Sequence, residues 1–289
     1  MAQARQTFER RQLGLTMRRL RDAAGKTQSV AAEAIGKARS RVVQLEDGTA
    51  TASEADLTTL LDLYGVADET ERATVVDLGA QARRRERRGP HYDVLPDSYL
   101  RLADLESSAT EINCLEQGII PGLLQSPYYL RAVFGEAEGV LWKRGGKEIT
   151  ERIEFREHRQ ARIWEASKQP IMRYVITEDA LRANMGSPEV MHQQLTHLLK
   201  LMEEHPSLTI RVLETTMYGN PLRGTSLTVF AFATRGAPIG YATAAFSPSA
   251  YFDDEDEVAG MLRVFHHIWE RSLSRIDSQM MIEGIAKEL

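Results

Sequence analysis

The sequence predicts a multidomain chain: an all-α N-terminal domain over residues 1–82 and an α+β C-terminal domain over residues 98–289, joined by a basic linker over residues 83–97. Three observations predict it. The chain has 289 residues, 43% of them hydrophobic, enough for two cores at about 100–200 residues per domain. In the first segment, apolar residues recur at helical spacing between glycines. In the second, short β-branched runs mix with helices without the regular alternation of a doubly wound sheet.

Glu9 to Ala24 reads as one amphipathic helix, with Leu13, Met17, Leu20 and Ala24 on its apolar side and Gly25 as a left-handed cap. Thr27 caps the next helix, Gln28 to Ile35, and Gly36 follows as a turn residue. A third helix, Arg39 to Glu46, stops at Asp47-Gly48. Ser53 caps a fourth, with Glu54 and Asp56 at the positive end of the helix dipole and Leu57, Leu60, Leu61 and Tyr64 inside. Asp68 and Glu71 open a fifth in capping-box spacing; it runs through Val75, Val76 and Leu78 into Arg83-Arg84-Arg85-Glu86-Arg87-Arg88 and ends at Gly89-Pro90. Like charges repel in a packed interior, so this run marks a boundary: a solvated linker, with a second phosphate contact as the alternative.

Beyond it, helices are expected at Tyr99 to Leu105, Gln125 to Val133, Ile149 to Ser167, Glu189 to Glu204, Asp253 to Leu273 and Ser278 to Leu289. Strand character is read within Glu111 to Leu124, at Ile112, Leu115, Ile119 and Ile120 with Pro121-Gly122 closing it, and at Ile171 to Ile176, Leu208 to Leu213, Leu227 to Ala233 and Ile239 to Phe246. In the charged helix after Ile149 the apolar side is taken to be Ile153, Ile163 and Trp164.

The formal net charge of -5 does not suit a polyanion-binding chain, but it averages two different segments. Residues 1–48 hold ten Lys/Arg against five Asp/Glu, a balance of +5, whereas residues 91–289 hold 20 against 28, a balance of −8. Only the N-terminal segment has the sign that phosphates require. No apolar run approaches the about 18 residues of a membrane span, and the polar N-terminus lacks a signal peptide's apolar stretch, so a cytoplasmic protein with no membrane partner is expected. The single cysteine, Cys114, excludes internal disulfides and reads as a buried small hydrophobe.

The stretch Gln28 to Leu45 meets the demands of two helices crossing through a tight turn. Ala32 is small where the backbones approach, Gly36 tolerates positive φ four positions later, and Ala31, Ile35, Val42 and Leu45 supply apolar contacts from both helices. With Ala24-Gly25-Lys26-Thr27-Gln28 before it and Leu45-Glu46-Asp47-Gly48 after it, the spacing resembles the helix-turn-helix of the lambda-repressor and Cro group, the XRE type. The resemblance implies double-stranded DNA as partner, read by Arg39, Ser40 and Gln44 on the outer face of the second helix. Arg39 suits guanine and Gln44 adenine. It also implies backbone contact by Gln28, phosphate contact by Lys37 and Arg41, and a structural salt bridge between Arg21 and Glu46. Two positions depart from the pattern: Val43 where relatives carry a polar residue, and Lys37 where many carry an apolar one.

Past the linker, Ile120-Pro121-Gly122-Leu123-Leu124-Gln125-Ser126-Pro127-Tyr128-Tyr129-Leu130-Arg131-Ala132, preceded by Leu105-Glu106-Ser107-Ser108-Ala109, resembles the C-terminal domain of a large actinobacterial regulator family. Glu151-Arg152-Ile153, Arg156, His158-Arg159-Gln160 and Glu178-Asp179-Ala180-Leu181-Arg182 fit the same pattern. That resemblance implies a homodimeric transcription regulator whose C-terminal domain serves dimerisation and senses a small molecule or partner protein. The alternative it implies is an antitoxin-like interaction protein that holds a small partner and uses DNA binding for autoregulation.

Catalytic, metal and cofactor readings find no support in the spacing. His192 and His197 do not share a helix face, adjacent His266 and His267 point apart, and Asp253 to Glu257 lacks the alternating ligands of a calcium loop. Gly145-Gly146 is too short for a phosphate loop, and no glycine-flanked serine suggests a nucleophile. No enzyme, cofactor or metal is expected.

Overall fold

A computed structural model describes residues 8–83, 97–141, 145–233, 237–243 and 249–289. Two compact units emerge, the first drawn from Met1–Pro90, Tyr99–Ser108 and Phe232–Ala237, the second from His91–Ser98, Ala109–Ala231 and Pro238–Leu289. The expected basic run Arg84 to Arg88, its Gly89-Pro90 stop and the last residues of the strand expected to reach Phe246 lie outside the described residues.

The first unit is helical: α1 (Phe8–Ala23), α2 (Gln28–Ala34), α3 (Arg39–Glu46), α4 (Glu54–Leu63), α5 (Glu69–Arg83) and the greater part of α6 (Asp97–Ser108). Leu13 and Met17 of α1, Ala31 and Ala32 of α2, Val42 and Leu45 of α3, Leu57, Leu60 and Leu61 of α4 and Val75 of α5 share one core. Burying each large side chain contributes about 1.5–3 kcal/mol. The caps fall where Ser53 and Asp68 suggested. Ser53 and Asp56 form a reciprocal capping box on α4, and Asp68 Oδ1 accepts from the amides of Thr70 and Glu71.

In the second unit a mixed six-stranded sheet runs in the order β3-β2-β1-β4-β5-β6. The strands are β1 (Glu111–Glu116), β2 (Ile171–Thr177), β3 (Leu208–Leu213), β4 (Leu227–Ala231), β5 (Ile239–Ala242) and β6 (Ala250–Phe252). β1, β2 and β3 pair in parallel, and β4 to β6 continue antiparallel from β1. Between β1 and β2 lie α7 (Pro127–Ala137) and α8 (Lys147–Trp164); between β2 and β3 lie α9 (Glu178–Leu181) and α10 (Pro188–Glu204); α11 (Glu255–Trp269) and α12 (Arg275–Glu288) end the chain. Parallel pairing needs such crossovers. Leu115, Val175, Leu227 and Val229 meet Val258, Phe265 and Ile268 of α11. The alternate positions Ile112, Cys114, Met172 and Tyr174 are buried as well, so both faces of the sheet are covered.

Two local expectations change. Strand character expected through Ile120, up to its close at Pro121-Gly122, stops at Glu116; residues 122–124 form a 3-10 turn whose backbone is satisfied by side chains instead of a neighbouring strand. Gln160 Nε2 donates to the carbonyls of Gly122 and Gln125, Trp164 Nε1 to that of Leu123, and fully buried Gln194 donates to Leu124 and accepts from the Ser126 amide. Along α8 the buried face is Arg152, Phe155, Arg159 and Ile163, while Ile153 and Trp164 are only half-buried. Long arginine stems bury like apolar chains, and Arg152 Nη2 pairs with Glu148 Oε1 at 2.7 Å one turn away.

In the first unit α1 crosses α3 at Gly14, where a Cβ would lie 2.5 Å from the Glu46 carbonyl oxygen and 2.6 Å from that of Leu45. Backbone cannot yield as a side chain does. Gly14→Ala is therefore expected to destabilise the protein by about 1–3 kcal/mol, read as a lower midpoint in urea unfolding.

Candidate nucleic-acid interface

The α2–α3 crossing is built by local chemistry. Thr27 Oγ1 accepts from the Val30 amide at 3.3 Å and starts α2. At the other end Lys37 N donates to Ala32 O at 2.9 Å and Gly36 N to Glu33 O at 3.0 Å, a Schellman closure that holds Gly36 at φ 64°. A side chain other than glycine's resists that conformation. Such a closure usually carries an apolar residue at the position of Lys37. Here Lys37 Nζ instead reaches Asp56 Oδ2 at 2.5 Å, tying the turn to the first turn of α4. Burial raises the Asp56 pKa, but hydrogen bonds from Lys37 and Ser53, with the charge of Lys37, bring it below its ordinary value of 3.8. The tie thus stabilises the fold above that value and is lost as pH falls through the lower folded pKa.

On α3, Val42, Leu45 and Glu46 point inward, and Arg39, Ser40, Arg41 and Gln44 are exposed. At 3.6 residues per turn, Arg39, Val43, Ser40 and Gln44 span an arc of about 140°. Half-buried Val43 sits within that arc. Arg41 lies at its margin and donates to Thr51 O at 2.8 Å, bracing the loop that follows α3. Neither Ser40 nor Gln44 makes a side-chain hydrogen bond among the described residues.

Arg39 is held by a chain of polar contacts. Arg21 binds Glu46 in a bidentate pair through one guanidinium edge, Nε to Oε1 at 2.6 Å and Nη2 to Oε2 at 3.0 Å, with side chains only 9% and 2% exposed. Gln28 Nε2 donates to the same Oε2 at 2.9 Å, and Gln28 Oε1 accepts from Arg39 Nη2 at 3.3 Å. The hydrogen bond to Glu46 is the chief reason the Arg21 pKa stands above its ordinary value. Arg21 Nη1 is bound by Asp22 Oδ1 and by the Lys26 carbonyl. Burial, with the Glu46 charge next, pushes Tyr64 up to about 12, so it remains a neutral phenol.

The predicted residues thus separate. Gln28 and Arg39 meet; Ser40 and Gln44 share the exposed arc; Lys37 and Arg41 are engaged in ties within the domain. The bridging role of Gln28 was not visible in the sequence, because its partners are 11 and 18 residues away. No group of three or more His, Cys, Asp or Glu side chains among the described residues is arranged to hold a metal ion, and no helix among them is long and apolar enough to cross a membrane.

Glu46→Gln leaves the buried Arg21 without its carboxylate, a loss of about 3 kcal/mol at the low end of the range for broken buried pairs, because Asp22 still neutralises part of the charge. Replacing both partners by Met is expected to recover most of that loss in urea unfolding, since neither charge is then buried alone.

Comparison with known proteins places names on the two units. A family described as a helix-turn-helix domain matches residues 12–75, and one described as a domain of unknown function, DUF5753, matches residues 99–284. No curated protein and no solved structure matches the chain. The second match spans well over half of the sequence, and the chain therefore belongs to the DUF5753 family, with a helix-turn-helix domain ahead of it.

Proposed function

We propose that this protein is a sequence-specific DNA-binding transcription regulator of the XRE type, acting as a homodimer whose second unit dimerises and senses a small molecule or partner protein. The observation that carries the proposal is the exposed arc of α3, with Arg39 held in place by Gln28 on a matched helix-turn-helix. In this reading α3 enters the major groove, Arg39 donates to a guanine edge, Gln44 pairs with adenine, and Ser40 and Val43 lie against the bases between them. The charge balance of +5 over residues 1–48 supports attraction to phosphates. We assign the chain no catalytic role.

Binding to its operator is expected to weaken steeply as salt rises, and Arg39→Ala to lose about 1–3 kcal/mol of discrimination while non-specific affinity changes little. Fluorescence anisotropy with operator and scrambled duplexes reads both. Salt-independent binding, or an Arg39→Ala protein with undiminished preference for the operator, would overturn the proposal.

A further inference from the structure

Val43 is the apolar exception on the exposed arc of α3. The arc is otherwise polar, formed by Arg39, Ser40 and Gln44, and Val43 falls inside it. At about 100° per residue from Arg39, Val43 stands at about 40°, Ser40 at about 100° and Gln44 at about 140°, with buried Val42 about 60° to the other side. Val43 is therefore the nearest of the three to Arg39 around the helix. It lies one turn, about 6 Å, further along.

An apolar side chain on a small domain is ordinarily explained by packing, and packing does not account for Val43. Among the described residues, the half-buried apolar side chains packed against the core of the first unit are Ala24, Ile35, Leu63, Val66 and Leu78, and α3 itself gives that core Val42 and Leu45. Val43 is half-buried without joining them. Its neighbour on the arc is already positioned, since Arg39 Nη2 donates to Gln28 Oε1.

We infer that Val43 selects a 5-methylpyrimidine, thymine in ordinary DNA, in the base pair next to the guanine that Arg39 contacts. The inference deepens the DNA-reading function proposed above and rests on it. In the major groove the guanine edge offers acceptors, which suit a guanidinium, whereas thymine adds a methyl group at C5 that no hydrogen-bonding side chain can use. Cytosine has only a hydrogen at that carbon. Val43 carries no polar side-chain atom, so what it gains from a base edge is the covering of that methyl. Its β-branched side chain has few rotamers and loses little freedom in doing so. The offset of about 6 Å between Arg39 and Val43 falls within two base steps of about 3.4 Å, and the longer arginine takes up the difference.

Anisotropy with the full-length protein tests it, on a duplex carrying the inverted repeat that the wild type selects from random DNA. Each thymine of the half-site is replaced in turn by deoxyuridine, which lacks only the methyl. The guanine is located as the position at which Arg39→Ala loses discrimination. Replacing the thymine of the neighbouring pair is expected to weaken wild-type binding about fourfold, the worth of one buried methyl group, and 5-methylcytosine there to bind about fourfold better than cytosine. In Val43→Ala both ratios fall below about twofold. Each ratio compares two duplexes on one protein sample, so any misfolded fraction cancels. A selected repeat with no thymine beside that guanine, a wild type indifferent to deoxyuridine there, or a Val43→Ala protein with undiminished ratios would overturn the inference, and specific binding in those cases leaves the DNA reading standing. A wild type that selects no sequence counts against that reading, and the inference falls with it.

Discussion

The buried pair between Arg21 and Glu46 fixes the geometry on which the proposed function depends. It joins the end of α1 to the end of α3, and its second carboxylate oxygen also accepts from Gln28 at the start of α2. Removing two charges from water costs several kcal/mol per ion, and only a bidentate, fully hydrogen-bonded geometry offsets that cost. An apolar contact of the same size would hold the helices together as well. It would give Gln28 no acceptor, and Arg39 would then be free to swing among rotamers. The pair therefore contributes orientation more than cohesion: in the proposed reading, Arg39 already has a partner in Gln28 before DNA arrives, and less freedom remains to be lost on binding.

The same logic of local polar ties recurs around the turn. Lys37 pairs with Asp56 of α4 and Arg41 donates to a backbone carbonyl of the loop after α3, so both cations that the sequence suggests for phosphates also make ties within the domain. Both remain exposed, but they are tied to neighbouring segments, whereas among the described residues the side chains of Ser40 and Gln44 carry no such tie and that of Arg39 bonds only Gln28. In the second unit, side-chain amides do comparable work. Gln160, Gln194 and the indole of Trp164 stand in for a missing strand along residues 122–126, which lets a non-repetitive segment lie buried beside α8 and α10.

The first unit is readable in the sequence because its determinants are local. A glycine at a left-handed turn, a small residue at a crossing and a capping box within one turn of Ser53 each act over four residues or fewer. The sheet is less so. Glu111 and Ile171 are partners sixty residues apart, and nothing in either segment alone says that β1 and β2 run in parallel with two helices between them. The strand pattern after Glu116 misleads for a physical reason: a buried apolar run looks the same whether strands or side-chain amides satisfy its backbone. On α8, counting only apolar residues misses the inward face, because Arg152 and Arg159 bury their stems there. The candidate residues are named from the sequence, but the contact from Gln28 to Arg39 spans two helices and is not legible in either segment alone.

Selection of bound sites from a pool of random duplexes, using the full-length protein, tests the central claim most directly. The account predicts an enriched inverted repeat with half-sites about 34 Å apart and a guanine where Arg39 meets the groove. A bound pool with no sequence enriched over the starting duplexes would contradict it.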